Sequence, residues 1–188
     1  MNLDALSSEF AGSILLPDSD GFVAAVGAYA GNPPALVARA ESEADVVAAV
    51  RFAASSGLGV AVRSGGHGGP MYSPGSDRLL IDLAALDSVS IDESGVATIG
   101  PGAVWAGVAD ALRASGYAVT SGDTADVGVG GLALGGGIGW LVRRDGLTID
   151  NLISARVVTA GAELVTASAD ENPDLFWRCA AAAATSGS

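Results

Sequence analysis

Two stretches of this chain place glycine where a helix or strand would exclude it. The first is Gly65-Gly66-His67, and the second is Val127-Gly128-Val129-Gly130-Gly131-Leu132-Ala133-Leu134-Gly135-Gly136-Gly137-Ile138-Gly139, preceded by Gly122-Asp123-Thr124. Inside a regular element glycine is destabilising by roughly 0.5–1 kcal/mol relative to alanine. It is useful where main-chain amides must approach an anion or where φ turns positive. Two such loops in 188 residues point to a backbone built against a phosphate-bearing cofactor. The only histidine of the chain, His67, ends the first loop.

The charge balance limits what else the chain binds. A formal net charge of -12 leaves no basic stripe to release counterions, so neither nucleic acid nor an anionic membrane is an expected partner. The same field repels phosphate, so a bound pyrophosphate depends on local amides and on Arg63. With Cys179 as the sole cysteine, an internal disulfide is excluded, and one histidine gives no basis for a zinc centre; no metal is expected. Acidic residues at Asp4 and Glu9 and the lack of an apolar core after a basic segment do not read as a signal peptide, and a cytoplasmic location is expected. The uncharged run 127–142 is short for a bilayer span and broken by glycine. The length suits one domain, or two small lobes sharing a ligand.

Helix and strand signals alternate without a regular βαβ repeat. Ser42-Glu43-Ala44-Asp45 has the form of a capping box opening a helix, with Val46, Val47, Val50 and Phe52 as candidate core residues and Gly57 and Gly59 ending it. Strands are predicted at 59–63, 79–82 and 96–100, with Pro101-Gly102 as a turn. Residues 105–114 predict a helix with Trp105, Val108, Ala109 and Leu112 inward, stopped by Gly116. Residues 153–159 and 163–166 predict a hairpin.

No early strand–helix junction carries Gly-x-Gly-x-x-Gly with an acid about twenty residues on, and no Gly-Lys-Ser/Thr loop or metalloprotease histidine pair occurs. Arg63-Ser64-Gly65-Gly66-His67 puts amide donors, a hydroxyl and a nucleophilic ring nitrogen in one loop, which suits attachment to an electrophilic aromatic cofactor; a ligand-free turn with an ordinary histidine is the other reading. Asp123, Asp126, Asp145 and Asp150 read as surface, cap or turn residues, since spacing alone brings no two carboxylates together. Trp105, Trp140, Trp177, Tyr72 and Tyr117 are too dispersed for a stacking platform, and core packing is the expectation for most of them.

In chain order, Val62-Arg63-Ser64-Gly65-Gly66-His67 with Ser73, Leu80-Ile81-Asp82-Leu83, the glycine run 128–139, Gly146-Leu147, Asp150-Asn151, Val157-Val158 and Asp174-Leu175-Phe176-Trp177 form one ordered set. This set resembles the PCMH-type FAD-binding domain of the vanillyl-alcohol-oxidase superfamily, in particular the berberine-bridge-enzyme-like FAD-linked oxidases. The resemblance implies an α+β FAD-binding domain in two lobes over residues 32–177, with the lobe boundary near 86–96. It implies FAD as cofactor, contacted by Arg63, Ser64, Gly65, Gly66, His67, Gly68, Met71, Ser73, Pro101, Gly102, Gly122, Asp123, Thr124, Val127, Gly128, Gly131, Gly135, Gly137, Ile138, Gly139 and Val157. It further implies that His67 carries a covalent bond to the flavin 8α-methyl group. Many relatives add a second bond through cysteine in a Gly-x-Cys segment; Thr124 stands there in this chain and has no thiol, so a single linkage is expected. Met71 stands where many relatives have glycine, which narrows the loop or alters its contacts.

In the family a substrate domain follows the FAD domain and supplies the tyrosines and acids of oxidation, so that domain is expected to be missing here and no catalytic residue is assigned. The implied function is the FAD-binding portion of an FAD-linked oxidoreductase that oxidises a small organic substrate by hydride transfer to flavin. The alternative is a non-catalytic flavin-binding or regulatory protein. Apolar surface left uncovered would favour self-association. Relatives continue after Phe-Trp with Ala-Leu-Arg and a glycine run, and loss of one nucleotide after the Trp177 codon of a GC-rich gene would read as Arg-Cys, alanines and Thr-Ser-Gly-Ser, the order of residues 178–188. A frameshift-derived tail is the expectation, and an evolved alanine-rich tail has the same protein sequence.

Overall fold

The computed structural model describes residues 3–69 and 74–185. The chain divides into two compact units, residues 1–86 with 158–164 and residues 87–157 with 165–188. Both mix helices and strands, in keeping with the expected α+β class.

The first unit is organised by the alternation of side chains along two buried strands. Its elements are α1 (Asp4–Glu9), β1 (Ser13–Leu15), α2 (Phe22–Val26), β2 (Leu36–Arg39), α3 (Glu43–Ser56), β3 (Gly59–Arg63) and β4 (Arg78–Asp82). They build a four-stranded sheet in the order β1-β2-β4-β3, with β1 antiparallel to β2 and both β2 and β3 parallel to β4. Leu36, Ala38, Leu79 and Ile81 face α3 and Leu6 of α1, while Val37 and Leu80 face Phe22, Ala25, Val26 and Tyr29. Because β2 and β4 are covered on both faces, each reads as an unbroken apolar run, as parallel strands do. Each fully buried Leu or Ile contributes about 1.5–3 kcal/mol.

Helix α3 starts with the capping box. The Ser42 hydroxyl accepts from the Asp45 amide at 3.1 Å, and the Asp45 carboxylate accepts from the Ser42 amide at 3.0 Å. Gly57 ends it at φ 68°. The buried stripe is Asp45, Ala48, Ala49, Phe52 and Ala53, which follows the i, i+3, i+4, i+7, i+8 spacing of a helix face. Of the expected core residues, Phe52 is buried, and Val46 and Val50 pack against the core from the flanks. The centre is alanine because small side chains let a helix lie close on a sheet.

In the second unit, β5 (Val89–Ile91) pairs antiparallel with β6 (Ala97–Ile99), followed by α4 (Trp105–Ala114), α5 (Val129–Leu134) and α6 (Val142–Asp145). A 3₁₀ turn, Ile149–Asn151, leads to the paired strands β7 (Ser154–Val158) and β8 (Leu164–Ser168), and α7 (Pro173–Thr185) runs on through Arg178 and Cys179. Trp105, Val108 and Leu112 of α4 join Ala103 and Val129 in the core, with Val89, Ile91, Ala97, Ile99 and Leu132 around them. Ala109, expected inward, is exposed: the buried stripe steps from 105 to 108 to 112 and passes it by. Core packing holds for Trp105 but not for Trp140, 88% exposed, or Trp177, 72% exposed; Tyr72 lies outside the described residues. No helix among the described residues is long and apolar enough to cross a membrane.

Candidate cofactor site

The first glycine segment leaves the end of β3. Arg63 closes that strand in register with Asp82 of β4, and the Leu83 amide donates to the Arg63 carbonyl at 2.9 Å. The chain then turns through Gly66 at φ 78° and Gly69 at φ 58°, with the Gly69 amide reaching the Gly66 carbonyl at 3.4 Å. Side chains rarely adopt these angles, so glycine is needed at both positions whether or not a ligand is bound. Among the described residues, a side chain added at Gly69 would meet no atom within 4 Å. His67, Gly65 and Gly68 are exposed, and Ser64 is half-buried. Met71 and Ser73 lie outside the described residues.

Arg63, expected to help with phosphate, is turned inward. Its Nη2 lies 2.7 Å from Asp82 Oδ2 and its Nε 3.5 Å from Asp82 Oδ1; Nη1 donates to the Ala25 carbonyl, and the guanidinium sits 5.9 Å from the centroid of the Tyr29 ring. Its guanidinium is thus committed to protein acceptors within the first unit. Asp82 was placed by the sequence in a strand and in the family-like segment Leu80-Ile81-Asp82-Leu83, with no role of its own. The signal available was a carboxylate inside the apolar run Leu79-Leu80-Ile81, which burial forces to find a cation.

In the second unit, local pairing collects several of the expected residues. Pro101 and Gly102 form the turn before α4, and the adjoining Ala103 carbonyl accepts from the Val129 amide at 2.8 Å. Val104 and Gly128 form an antiparallel bridge, and the Trp105 amide donates to the Val127 carbonyl at 3.1 Å. Pro101, Gly102, Val127 and Gly128 are therefore held beside one another. Asp123 and Thr124 are exposed on the loop before them, with the Thr124 hydroxyl 3.2 Å from Asp123 Oδ1.

The remaining glycines of this unit divide by cause. A Cβ at Gly139 would overlap the Ser121 carbonyl, and one at Gly137, φ 75°, would overlap the Thr148 side chain. At Gly122 it would lie 2.6 Å from Leu132 Cδ1. Close approach therefore explains Gly137 and Gly139, whereas at Gly122 the only neighbour among the described residues is the movable end of a leucine side chain. Thr148 ties the arrangement together, its hydroxyl lying 3.0 Å from the Thr120 carbonyl and 3.2 Å from that of Gly137. At Gly131 a Cβ would meet nothing within 4 Å, and the residue is exposed, so no protein contact demands glycine there. Gly135 caps the end of α5, Ile138 is exposed and Val157 is half-buried on β7.

Two observations fit a bound cofactor. Among the described residues, Gly131 leaves backbone uncovered where neither packing nor backbone angle requires glycine. The Thr120 hydroxyl is fully buried without a hydrogen-bond partner, the kind of atom that a bound polar group or water satisfies. The aspartates are engaged locally: Arg144 bonds Asp145 and holds its carboxyl below the usual carboxylate range, and Asp150 accepts from the Leu147 amide at 2.8 Å. Among the described residues no cluster of acids, histidine and cysteine has the makings of a metal site.

Comparison with known proteins names the cofactor. Residues 34–168 match the family model described as FAD binding domain. The chain is 38% identical over 170 residues to (R)-6-hydroxynicotine oxidase of Paenarthrobacter nicotinovorans, spanning 88% of this chain and 37% of that protein. Its fold superposes on the crystal structure of 6-hydroxy-D-nicotine oxidase from Arthrobacter nicotinovorans with TM-score 0.87 at 36% identity, covering 95% of this chain and 40% of the other. A berberine-bridge-enzyme-like protein of Physcomitrella patens gives TM-score 0.86 at 29% identity, covering 95% and 40%. Glucooligosaccharide oxidase from Acremonium strictum, described with 6-S-cysteinyl, 8α-N1-histidyl FAD, gives 0.84 at 33%, covering 94% and 39%. The chain spans about two fifths of these relatives. With the family model matched over most of its length, and with these relatives sharing its fold, the chain belongs to the PCMH-type FAD binding domain family that includes the berberine-bridge-enzyme-like oxidases.

Proposed function

We propose that Arg63, Ser64, Gly65, Gly66, His67, Gly68, Pro101, Gly102, Gly122, Asp123, Thr124, Val127, Gly128, Gly131, Gly135, Gly137, Ile138, Gly139 and Val157 contact FAD and that His67 bonds covalently to the flavin 8α-methyl carbon. The observation that carries this reading is an exposed His67 on a glycine-turned loop directly after β3, within the matched FAD binding domain. Backbone amides, rather than the Arg63 guanidinium, are the donors left for phosphate in a protein of net charge -12. When bound, the flavin accepts hydride from a small organic substrate in the complete oxidoreductase and passes the electrons on. The imidazole of His67 would supply the nucleophilic nitrogen; the new N–C bond would replace an 8α C–H bond, with two protons lost to solvent and the two electrons passing through the flavin ring to dioxygen, and Thr124 offers no thiol for a second bond.

Purification with FAD followed by denaturation tests both parts. The expected result is a flavin absorbance band that stays with the polypeptide and maps to the His67 peptide by mass spectrometry. In His67→Ala the band is expected to bind the folded protein and to be released on denaturation. Folded wild-type chain with no flavin affinity would sink the binding claim, and an adduct on another residue would sink the assignment to His67.

We also propose that copies of this chain associate through the second unit, where Ile138, Trp140, Ile153 and Trp177 are all more than half exposed. Large apolar side chains at this exposure favour burial against another surface.

A further inference from the structure

Three parallel strands of the first unit's sheet end together at their C-termini: Arg39 of β2 and Arg63 of β3 both stand in register with Asp82 of β4. The Asp82 carboxylate is 4% exposed and lies between two guanidinium groups, at 2.7 Å from Arg63 Nη2 and 3.5 Å from Arg39 Nε, while the Ala84 amide donates to its Oδ1 at 3.2 Å. A carboxylate this buried is retained only with partners, and removing one partner is far more damaging than the pair is stabilising. Arg63 gains from the arrangement a fixed fork: two nitrogens on Asp82, the third on the Ala25 carbonyl in the last turn of α2, and its face toward Tyr29. The methylenes of the same side chain lie under the loop, since a Cβ at Gly66 would sit 3.3 Å from Arg63 Cδ.

From this geometry we propose that Asp82 is a positioning residue for the His67 loop. Its carboxylate locks the Arg63 fork, the locked stem forms the surface on which Gly66 turns, and the loop 64–69 is thereby held in one conformation before cofactor arrives. The consequence for the cofactor rests on the reading that this loop binds FAD; the ordering of the loop does not. Preorganisation lowers the entropy lost on binding, so a loosened loop shows itself as weaker FAD affinity without loss of the fold.

The test compares wild type with Asp82→Asn, which keeps shape and an acceptor but loses the charge. Three quantities are read: backbone NMR order parameters of 60–69 without flavin, the FAD dissociation constant, and Tm. The expected result is a fall in order confined to 64–69, unchanged order at 60–62, and at least tenfold weaker FAD binding by protein that is still folded. Unchanged loop order and affinity with only a lower Tm would overturn the proposal, leaving Asp82 a purely structural residue. Reduced loop order in Asp82→Asn together with a wild type that binds no FAD would uphold the brace and overturn the FAD reading. Should Asp82→Asn fail to fold, Arg63→Lys replaces it in the same measurements. An ammonium reaches Asp82 or Ala25 but cannot fork between them, and the same loop-confined loss is expected; no loss would overturn the proposal.

Discussion

Asp45 shows how one carboxylate organises its surroundings. Its Oδ1 accepts from the Ala11 amide at 2.7 Å, and its Oδ2 from the amides of Glu41 and Ser42 at 2.9 and 3.0 Å. Burial pushes this carboxyl up, but the amides of Ala11, Glu41 and Ser42 and the Ser42 side chain together outweigh it, and the pKa lies below the ordinary carboxylate value. Folding therefore stabilises the charged form. The contribution is present in full above about pH 5 and is lost as pH falls through the lowered pKa. Asp45→Ala is expected to cost about 2–4 kcal/mol near pH 7, since it removes a cap and leaves amide donors without acceptors. Urea denaturation should show the gap between Asp45→Asn and wild type narrowing in acid; a gap constant between about pH 7 and pH 3 would remove the charge from the explanation. Gly139 makes the complementary point. Its expected place was the cofactor site, yet the Ser121 carbonyl already demands glycine, so Gly139→Ala should destabilise the protein even without flavin, seen as a lower Tm of the apo chain.

Helix α4 separates what periodicity predicts from what packing selects. Its ends agree with the sequence reading because the apolar spacing and Gly116 define them. The inward face needed one further fact, the direction from which β5, β6 and Val129 cover the helix. Leu112→Ala is expected to cost about 2–5 kcal/mol by denaturant midpoint, while a polar residue at exposed Ala109 stays within about 0.5 kcal/mol of wild type. Equal losses at both positions would mean that the helix is covered on a different side. Strands show the same division. β3, β4 and β6 were legible from β-branched and aliphatic runs, whereas β1, β2 and β5 were not, being recognisable as strands chiefly through their partners.

Across the molecule, charge and apolar exposure oppose each other. If copies associate as proposed, a net charge of -12 would keep them apart at low ionic strength and exposed Trp140 and Trp177 would draw them together. Sedimentation velocity is therefore expected to show association that strengthens with added salt, and Trp140→Ser with Trp177→Ser should return the chain to monomer. A monomer at every salt concentration would mean that these side chains bind no second copy. The tryptophans escaped the sequence reading because an aromatic residue is usually buried, and nothing local to 140 or 177 distinguishes them from Trp105.

The amino-acid sequence by itself determined a phosphate-bearing cofactor class and the ends of α3 and α4, because caps, periodicity and positive-φ turns are encoded within a few neighbouring residues, whereas the second glycine stretch, read as a loop, contains α5. Only the tertiary structure decided why each glycine is there. Gly137 and Gly139 yield to Thr148 and Ser121, Gly66 and Gly69 to their backbone angles, and Gly131 to no protein contact at all. It also decided that Arg63 faces Asp82 rather than solvent. That pairing joins residues on separate strands through sheet register, and register follows from the burial of β2 and β4 on both faces rather than from the residues beside Arg63.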